Sequence, residues 1–353
     1  MSQPRRILLL AIAAMLLAVV GWHLYATREP SYQGKRLTEW LLAGANDGKF
    51  APASTKQSRE AIRAIGTNGL PTLIRLIQVK DSAVKRTLMS WAEKQSLVEF
   101  HFQPAWTRQG YAVEGFLTLG PEGKEAIPAL AKLLQDTDLA GNAAVCLAAI
   151  GPEAVPILRH ELGSTNALIR YACLGALDYL GTNAMLFFPA IMQSLQDPDP
   201  HVRFAAVHCL RQFPNEAKMV LPVLLKVAQQ DSYRFARTGS LSVMGSFSNQ
   251  AAAFAPALRQ MLADCKADEI LLRPALVGAL RKIDPTGWPN DEAMPPANRP
   301  KSLSPVGPAF QPAGPGGFLA PSSFDGQESP SNRQPGKAAL QNPAEGPGHL
   351  DRP

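Results

Sequence analysis

Apolar residues in the middle of this chain recur at helical spacing, and the whole pattern returns after about thirty residues. Val202, Ala205, Ala206, Cys209, Leu210 and Phe213 follow the i, i+3, i+4, i+7 rule of one helix face. The segments 169–181 (IRYACLGALDYLG), 202–214 (VRFAAVHCLRQFP) and 272–284 (LRPALVGALRKID) share that register without gaps, and each reads as the second helix of a two-helix unit. The first helix of each unit is tagged by a proline with Leu or Ile two residues on: Pro71/Leu73, Pro128/Leu130, Pro156/Leu158, Pro189/Ile191, Pro222/Leu224 and Pro256/Leu258. A first-turn proline needs no amide partner, so a helix is expected to start at each tag. The polar turns Asp81-Ser82, Asp136-Thr137-Asp138, Ser164-Thr165-Asn166, Asp197-Pro198-Asp199-Pro200 and Asp231-Ser232 supply caps for the helix that follows. Gly66, Gly120, Gly151, Gly181 and Gly245 offer stops at positive φ. No strand-like segment competes. The expected class is all-α, and a fixed period of this kind implies a solenoid, because each unit exposes an apolar face that only its neighbours cover.

The junction Ala148–Leu158 (AAIGPEAVPIL) carries a resemblance. It resembles the HEAT repeat family, in the short-repeat branch known from phycobilin lyases, whose units read V-R-x-A-A-x-A-L-x-x-I-G-P-E-A-V-P-x-L. The likeness runs from Ala126 to Ile283, thins between Ser58 and Gly120, and stops near Pro285. It implies an armadillo-type fold, a right-handed α-solenoid of helical hairpins. Gly66 and Gly120 stand further apart than one unit, and Ser96 to Trp106 (SLVEFHFQPAW) fits no copy, so an irregular or inserted repeat is expected there.

The ends follow other rules. Residues 1–30 contain an uncharged, almost wholly apolar span, 7–25, preceded by Arg5-Arg6 and closed by Trp22 and Tyr25. That is the pattern of a retained signal anchor, with a signal peptide cut near Val19-Val20-Gly21 as the alternative. Either places the bulk of the chain outside the cytoplasm: membrane-anchored and periplasmic, or secreted if the signal is removed. Residues 31–57 read as a capping segment, in which Leu37, Trp40 and Leu41 make one apolar face able to cover the first repeat. Within it Tyr32 to Leu41 (YQGKRLTEWL) looks like the Y-x-G-K-x-L-x-x-W-L segment of exported bacterial HEAT repeat proteins. The solenoid proper spans 58–284. From 285 to 353 the tail holds fifteen of the thirty-one prolines and nine glycines, a composition without a core, so a disordered spacer is expected.

Charge narrows the partners. The net charge is +6, and Lys and Arg are scattered rather than massed on one face, which argues against nucleic acid. The six histidines form no H-E-x-x-H or other local metal pair. HEAT-fold deoxyhypusine hydroxylases hold iron through several His-Glu dipeptides, whereas this chain has one, His160-Glu161, so neither a metal, a cofactor nor a catalytic residue is assigned. Cys146, Cys173 and Cys209 substitute for small core residues, and Cys265, in a polar turn, is expected to be the accessible thiol.

A surface remains. In HEAT solenoids the second helices line the concave side, and the outward positions of this register include Tyr171, Phe204 and Phe235, with Pro274 next. One turn on, Gly175, Gly239 and Gly278 recur, with His208 as the exception; they either allow tight helix packing or clear a groove. Arg170, Arg203, Arg234 and Arg273 form a neighbouring ladder, for which the family resemblance implies bonds to turn acids or carbonyls such as Asp197, Asp199 and Asp231. Arg211 and Arg281, further along their helices, are available to an acidic partner. The expected function is a non-enzymatic, membrane-anchored HEAT scaffold that binds an unknown protein through its concave face. An enzyme of lyase or hydroxylase type on a HEAT scaffold, or a structural spacer of the envelope, are the alternatives.

Overall fold

The computed structural model describes residues 29–42, 56–94, 104–266 and 269–285. The apolar span 7–25, most of the irregular stretch 96–106 and the tail from 286 onward lie outside the described residues. Among the described residues no helix is long and apolar enough to cross a membrane.

The described chain opens with a small hairpin, β1 (Ser31–Tyr32) and β2 (Lys35–Arg36), paired antiparallel. Gln33 and Gly34 turn it at φ of 49° and 77°, the two positive values that a type I′ turn requires. It leads into α1 (Leu37–Leu42), whose Leu37, Trp40 and Leu41 are buried against α2 (Lys56–Ile65) and a later helix, α5 (Ala105–Leu119). The Trp40 indole N–H donates to the Tyr32 carbonyl at 3.0 Å, fastening the hairpin to the helix.

First helices follow at α3 (Leu70–Ile77), α6 (Ile127–Leu133), α8 (Val155–Glu161), α10 (Phe188–Ser194), α12 (Ala217–Gln230) and α14 (Ala255–Asp264). Second helices are α5 (Ala105–Leu119), α7 (Ala140–Ile150), α9 (Ala167–Ala176), α11 (Pro200–Cys209), α13 (Arg234–Ser246) and α15 (Leu272–Ile283). Each second helix packs on the first helix before it in the chain and on the second helices of the adjacent units. The result is an α-solenoid-like stack in which one hydrophobic core runs from Leu37 to Ile283. Its logic is visible in the tag: every tagged proline is exposed, and Leu73, Leu130, Leu158, Ile191, Leu224 and Leu258 are fully buried. Each such side chain contributes about 2 kcal/mol of transfer free energy.

Three local features depart from the sequence reading. Gly66, Gly120, Gly151 and Gly181 take positive φ and end their helices, but Gly245 does not; α13 runs on and Ser248, at φ 48°, makes the turn. Gly245 serves instead for close approach, since a Cβ there would stand 3.5 Å from the Cα of Ala279 on α15. The helix tagged by Pro222 starts at Ala217, because Ala217, Val220 and Leu221 extend its buried face backwards. Pro222 then lies inside the helix, at the cost of one backbone bond near its start.

The largest departure concerns the turn at Asp81. A helix does follow it, α4 (Ala83–Lys94), but none of its described side chains is buried and it joins neither layer. The helix that pairs with α3 is α5, and Asp81 caps that one, accepting the Ala105 N–H at 2.8 Å. Residues 82–104 are therefore an insertion between the two helices of one repeat.

Candidate functional site

The turn of each repeat is built by one recurring contact. Its first residue accepts the backbone N–H two positions on: Asp136 from Asp138 at 3.1 Å, Ser164 from Asn166 at 3.3 Å, Asp197 from Asp199 at 2.9 Å and Asp231 from Tyr233 at 2.7 Å. Asn166 and Asp199 in turn cap α9 and α11. In these two helices the fourth residue reaches back to the turn. Arg170 donates to the Ser164 carbonyl at 2.8 Å and Arg203 to the Asp197 carbonyl at 3.0 Å. Each also grips the turn acid of the next repeat with a second edge of its guanidinium, Arg170 on Asp197 at 2.8 and 2.6 Å and Arg203 on Asp231 at 2.8 and 2.8 Å.

Carried along the stack, this geometry defines a ladder of six residues. Gln109 donates to the Val79 carbonyl and accepts from Asn142, Arg237 binds Glu269 at 2.9 Å and the Ala228 carbonyl at 3.0 Å, and Arg273 donates to the Cys265 carbonyl at 3.1 Å. The rungs are Gln109, Asn142, Arg170, Arg203, Arg237 and Arg273. Arg234 is not among them: it stands three residues early, exposed, with its guanidinium 4.8 Å from the Phe235 ring centroid. The register drawn from sequence slipped by one helical turn there, because Arg234-Phe235 repeats the Arg-aromatic pairs Arg170-Tyr171 and Arg203-Phe204.

Residues 155–245 and, in a second overlapping match, 188–276 fit the family model of HEAT repeats. This segment belongs to the HEAT repeat family. The chain is also similar to a solved structure, the complex of CpcE and CpcF of phycocyanin lyase from Nostoc sp. PCC7120, at 21% identity over 72% of this chain and 96% of that one, with a TM-score of 0.32. No curated protein matches it.

On the HEAT second helices the slip also moves Phe235. The position that Tyr171 and Phe204 occupy, one past the rung, is held in α13 by Thr238. Phe235 nevertheless belongs to an aromatic group, joined through a residue that the sequence reading passed over. Tyr233 sits in the turn, where Asn166 and Asp199 stand in the preceding repeats, and its ring lies 5.3 Å from His201, 6.4 Å from Phe204 and 5.3 Å from Phe235. Burial, with a smaller contribution from Tyr171, holds the Tyr233 phenol above its ordinary pKa. The alignment of Asp231-Ser232-Tyr233 with Asp197-Pro198-Asp199 is the signal that could have found it. All these rings are half-buried, and those of Phe204, Tyr233 and Phe235 form one aromatic patch across α11 and α13.

His208 closes one side of that patch. Its ring meets Phe204 edge-on at 4.5 Å, and burial, with Arg211 adding to it, pushes its pKa down to about 4. A Cβ on Gly239 would stand 3.2 Å from His208 Nε2 and 3.4 Å from Phe204 Cε2, so Gly239 is small in order to seat these rings. Gly278 has nothing within 4 Å of such a Cβ and faces open space. The two readings of the glycines therefore divide between two positions.

Arg211 is exposed, yet it pairs within the chain, 3.8 Å from Asp178 on the preceding repeat, where Gln212 also donates to Asp178 at 2.6 Å. Arg281 is half-buried and engaged. Neither is the unencumbered cation expected. Five residues beyond the Gln109 rung, as His208 is beyond Arg203, stands Glu114; burial raises its carboxyl to about 7 against the pull of Arg59. Cys265 is buried like Cys146, Cys173 and Cys209, contrary to the expectation of an accessible thiol; the Arg273 bond to its carbonyl folds the turn over it. Burial pushes the Cys173 thiol up to about 12. Among the described residues no three His, Cys, Asp or Glu side chains gather to hold a metal, and Glu161 accepts from Gln135 at 3.0 Å.

Proposed function

We propose that this chain is a non-enzymatic scaffold that binds another protein through the second-helix face of its HEAT repeats, the concave side of a right-handed solenoid. The observation that carries the reading is the half-buried aromatic group Phe204, Tyr233 and Phe235, which joins two repeats, with Tyr171 at the position equivalent to Phe204 in the repeat before. Aromatic rings held rigid by one another lose little entropy on binding and supply large contact areas, the profile of residues that dominate protein interfaces. Arg234, exposed and stacked on Phe235, gives the rim a cation suited to a partner carrying acidic groups. The apolar span 7–25 anchors the chain in a membrane with the repeats on the extracytoplasmic side, residues 31–57 cap the stack, and the Pro-rich segment 285–353 serves as a spacer.

The test is crosslinking and affinity purification from the membrane fraction, with the native chain beside a Tyr171→Ala, Phe204→Ala, Phe235→Ala variant whose helix content and melting are checked first. A protein recovered by the native form alone is the expected result. Equal recovery by a folded variant would remove this face from the interface.

A further inference from the structure

Among the described residues, half of the large apolar side chains that stand markedly exposed belong to the insertion or to the helix start that receives it. Val84 is 70% exposed, Leu88 49% and Trp91 61%, and Trp106, the second residue of α5, is 52% exposed. Val84, Leu88 and Trp91 lie at i, i+4 and i+7 of α4, so they form a single stripe along one face of the helix. In the repeats such a stripe is always covered by a neighbouring helix; here the insertion has left the stack and the stripe is bare. The rest of the helix is basic, with Lys85, Arg86 and Lys94 against Glu93, and the exposed Arg108 lies within electrostatic reach of Asp81 at its foot. Lys85 is tied to Asp81 at 2.5 Å, which pins the first turn of α4 to the stack while its stripe stays outward.

We propose that α4 is an interfacial helix that lies on an anionic bilayer surface, with Val84, Leu88 and Trp91 in the headgroup boundary and its basic residues toward the lipid phosphates. The chemistry favours lipid over a protein groove. A narrow apolar stripe that ends in tryptophan, on a helix whose polar side carries the exposed Arg86, matches the polarity gradient of an interface, where the indole straddles the boundary and the cation reaches toward anionic headgroups. Placement agrees. The apolar span 7–25 precedes the first repeats, to which α4 belongs, and in this respect the inference rests on the membrane reading above. A second contact beside the anchor would fix the orientation of the stack and hold its aromatic face at a constant height.

The full chain is mixed with phosphatidylcholine vesicles with or without phosphatidylglycerol, carrying brominated acyl chains. Tryptophan quenching is read for the wild type and for Trp91→Phe, the difference isolating Trp91. The expected result is quenching of Trp91 that is several-fold stronger with phosphatidylglycerol, falls several-fold in Val84→Gln, Leu88→Gln, and is unchanged in Met219→Gln, an exposed apolar position elsewhere. Equal quenching of wild type and Trp91→Phe overturns the proposal, as does protection of α4 from hydrogen exchange only when another protein is added. Vesicle association that survives an alkaline wash reports the anchor separately: its loss with Trp91 quenching retained refutes the anchor and leaves the interfacial helix standing.

Discussion

Asp81 and Ala105 are separated by 24 residues, yet the Asp81 carboxylate accepts the Ala105 N–H at 2.8 Å as Asp197 accepts that of Asp199, two residues on, at 2.9 Å. The repeat closes its turn across an insertion. The Gln109 bond to the Val79 carbonyl repeats the Arg203 bond to the Asp197 carbonyl in the same way. Both contacts survive without the residues between, so a chain in which a single glycine replaces 82–104 is expected to fold with its cooperative thermal transition within a few degrees of the parent. Asp81→Ala in the intact chain removes the cap and is expected to cost about 1–2 kcal/mol in urea unfolding. A shortened chain that fails to fold would show that the insertion supports the stack.

The register of the arginine ladder can be tested at two residues three apart. Arg237 is half-buried and bonds Glu269 and the Ala228 carbonyl, whereas exposed Arg234 makes a cation–π contact with Phe235. Truncating an arginine that holds a sheltered acid strands that acid, so Arg203→Ala, which frees Asp231, is expected to cost about 3 kcal/mol and Arg237→Ala about 1–2 kcal/mol. Arg234→Ala is expected to cost about 0.5 kcal/mol. Denaturant titration of the three variants measures the order; a cost for Arg234→Ala equal to that of Arg203→Ala would restore the register read from sequence.

Two glycines on the same face should respond oppositely. Gly278 is open, so Gly278→Ala is expected to stabilise by about 0.5–1 kcal/mol through helix propensity alone. Gly239→Ala gains the same propensity but presses a methyl group onto His208 and Phe204, rings already packed edge to face at 4.5 Å. It is expected to show no gain in melting temperature, and a gain matching that of Gly278→Ala would mean the rings are free to move.

What could be read from sequence follows from which signals are local. The buried Leu or Ile of the tag, the first-turn prolines and the cap face of Leu37, Trp40 and Leu41 each depend on spacing within one helix, and spacing is written in the chain. The ladder depends on contacts between repeats. Arg234 and Arg237 look alike until Ala228 and Glu269 are seen beside one of them, and Tyr233 looks like a turn residue until the rings of His201, Phe204 and Phe235 surround it. The wide spacing of Gly66 and Gly120 announced an irregular or inserted repeat, but that the insertion lies between the two helices of one repeat escaped for the same reason. Asp81-Ser82 is a sound cap for α4, and nothing local says that the carboxylate also reaches Ala105.

Glu114 and His208, placed alike after their rungs, should give opposite pH dependences over nearly the same range. Burial raises Glu114 from 4.5 to about 7, so the folded chain holds a proton that the unfolded chain has released; the resulting stability is complete below pH 4.5 and is lost as pH rises through 7. Burial, with the Arg211 charge, lowers His208 from 6.5 to about 4, so the unfolded chain takes up a proton first; stability is complete above pH 6.5 and is lost as pH falls through 4. Asp231 is held below its ordinary range, its burial outweighed by Arg203 and the Tyr233 N–H, so its contribution is lost only at still lower pH. Between pH 4.5 and 6.5 the two slopes oppose, and the native melting temperature is expected to be nearly flat. Glu114→Gln is expected to gain on the native chain steadily from pH 4.5 to 7, and His208→Gln to gain on it as pH falls from 6.5 to 4. Thermal melts across that range, read as variant minus native, check each sign separately, and a difference that does not change with pH would show that the group keeps its ordinary ionisation inside the fold.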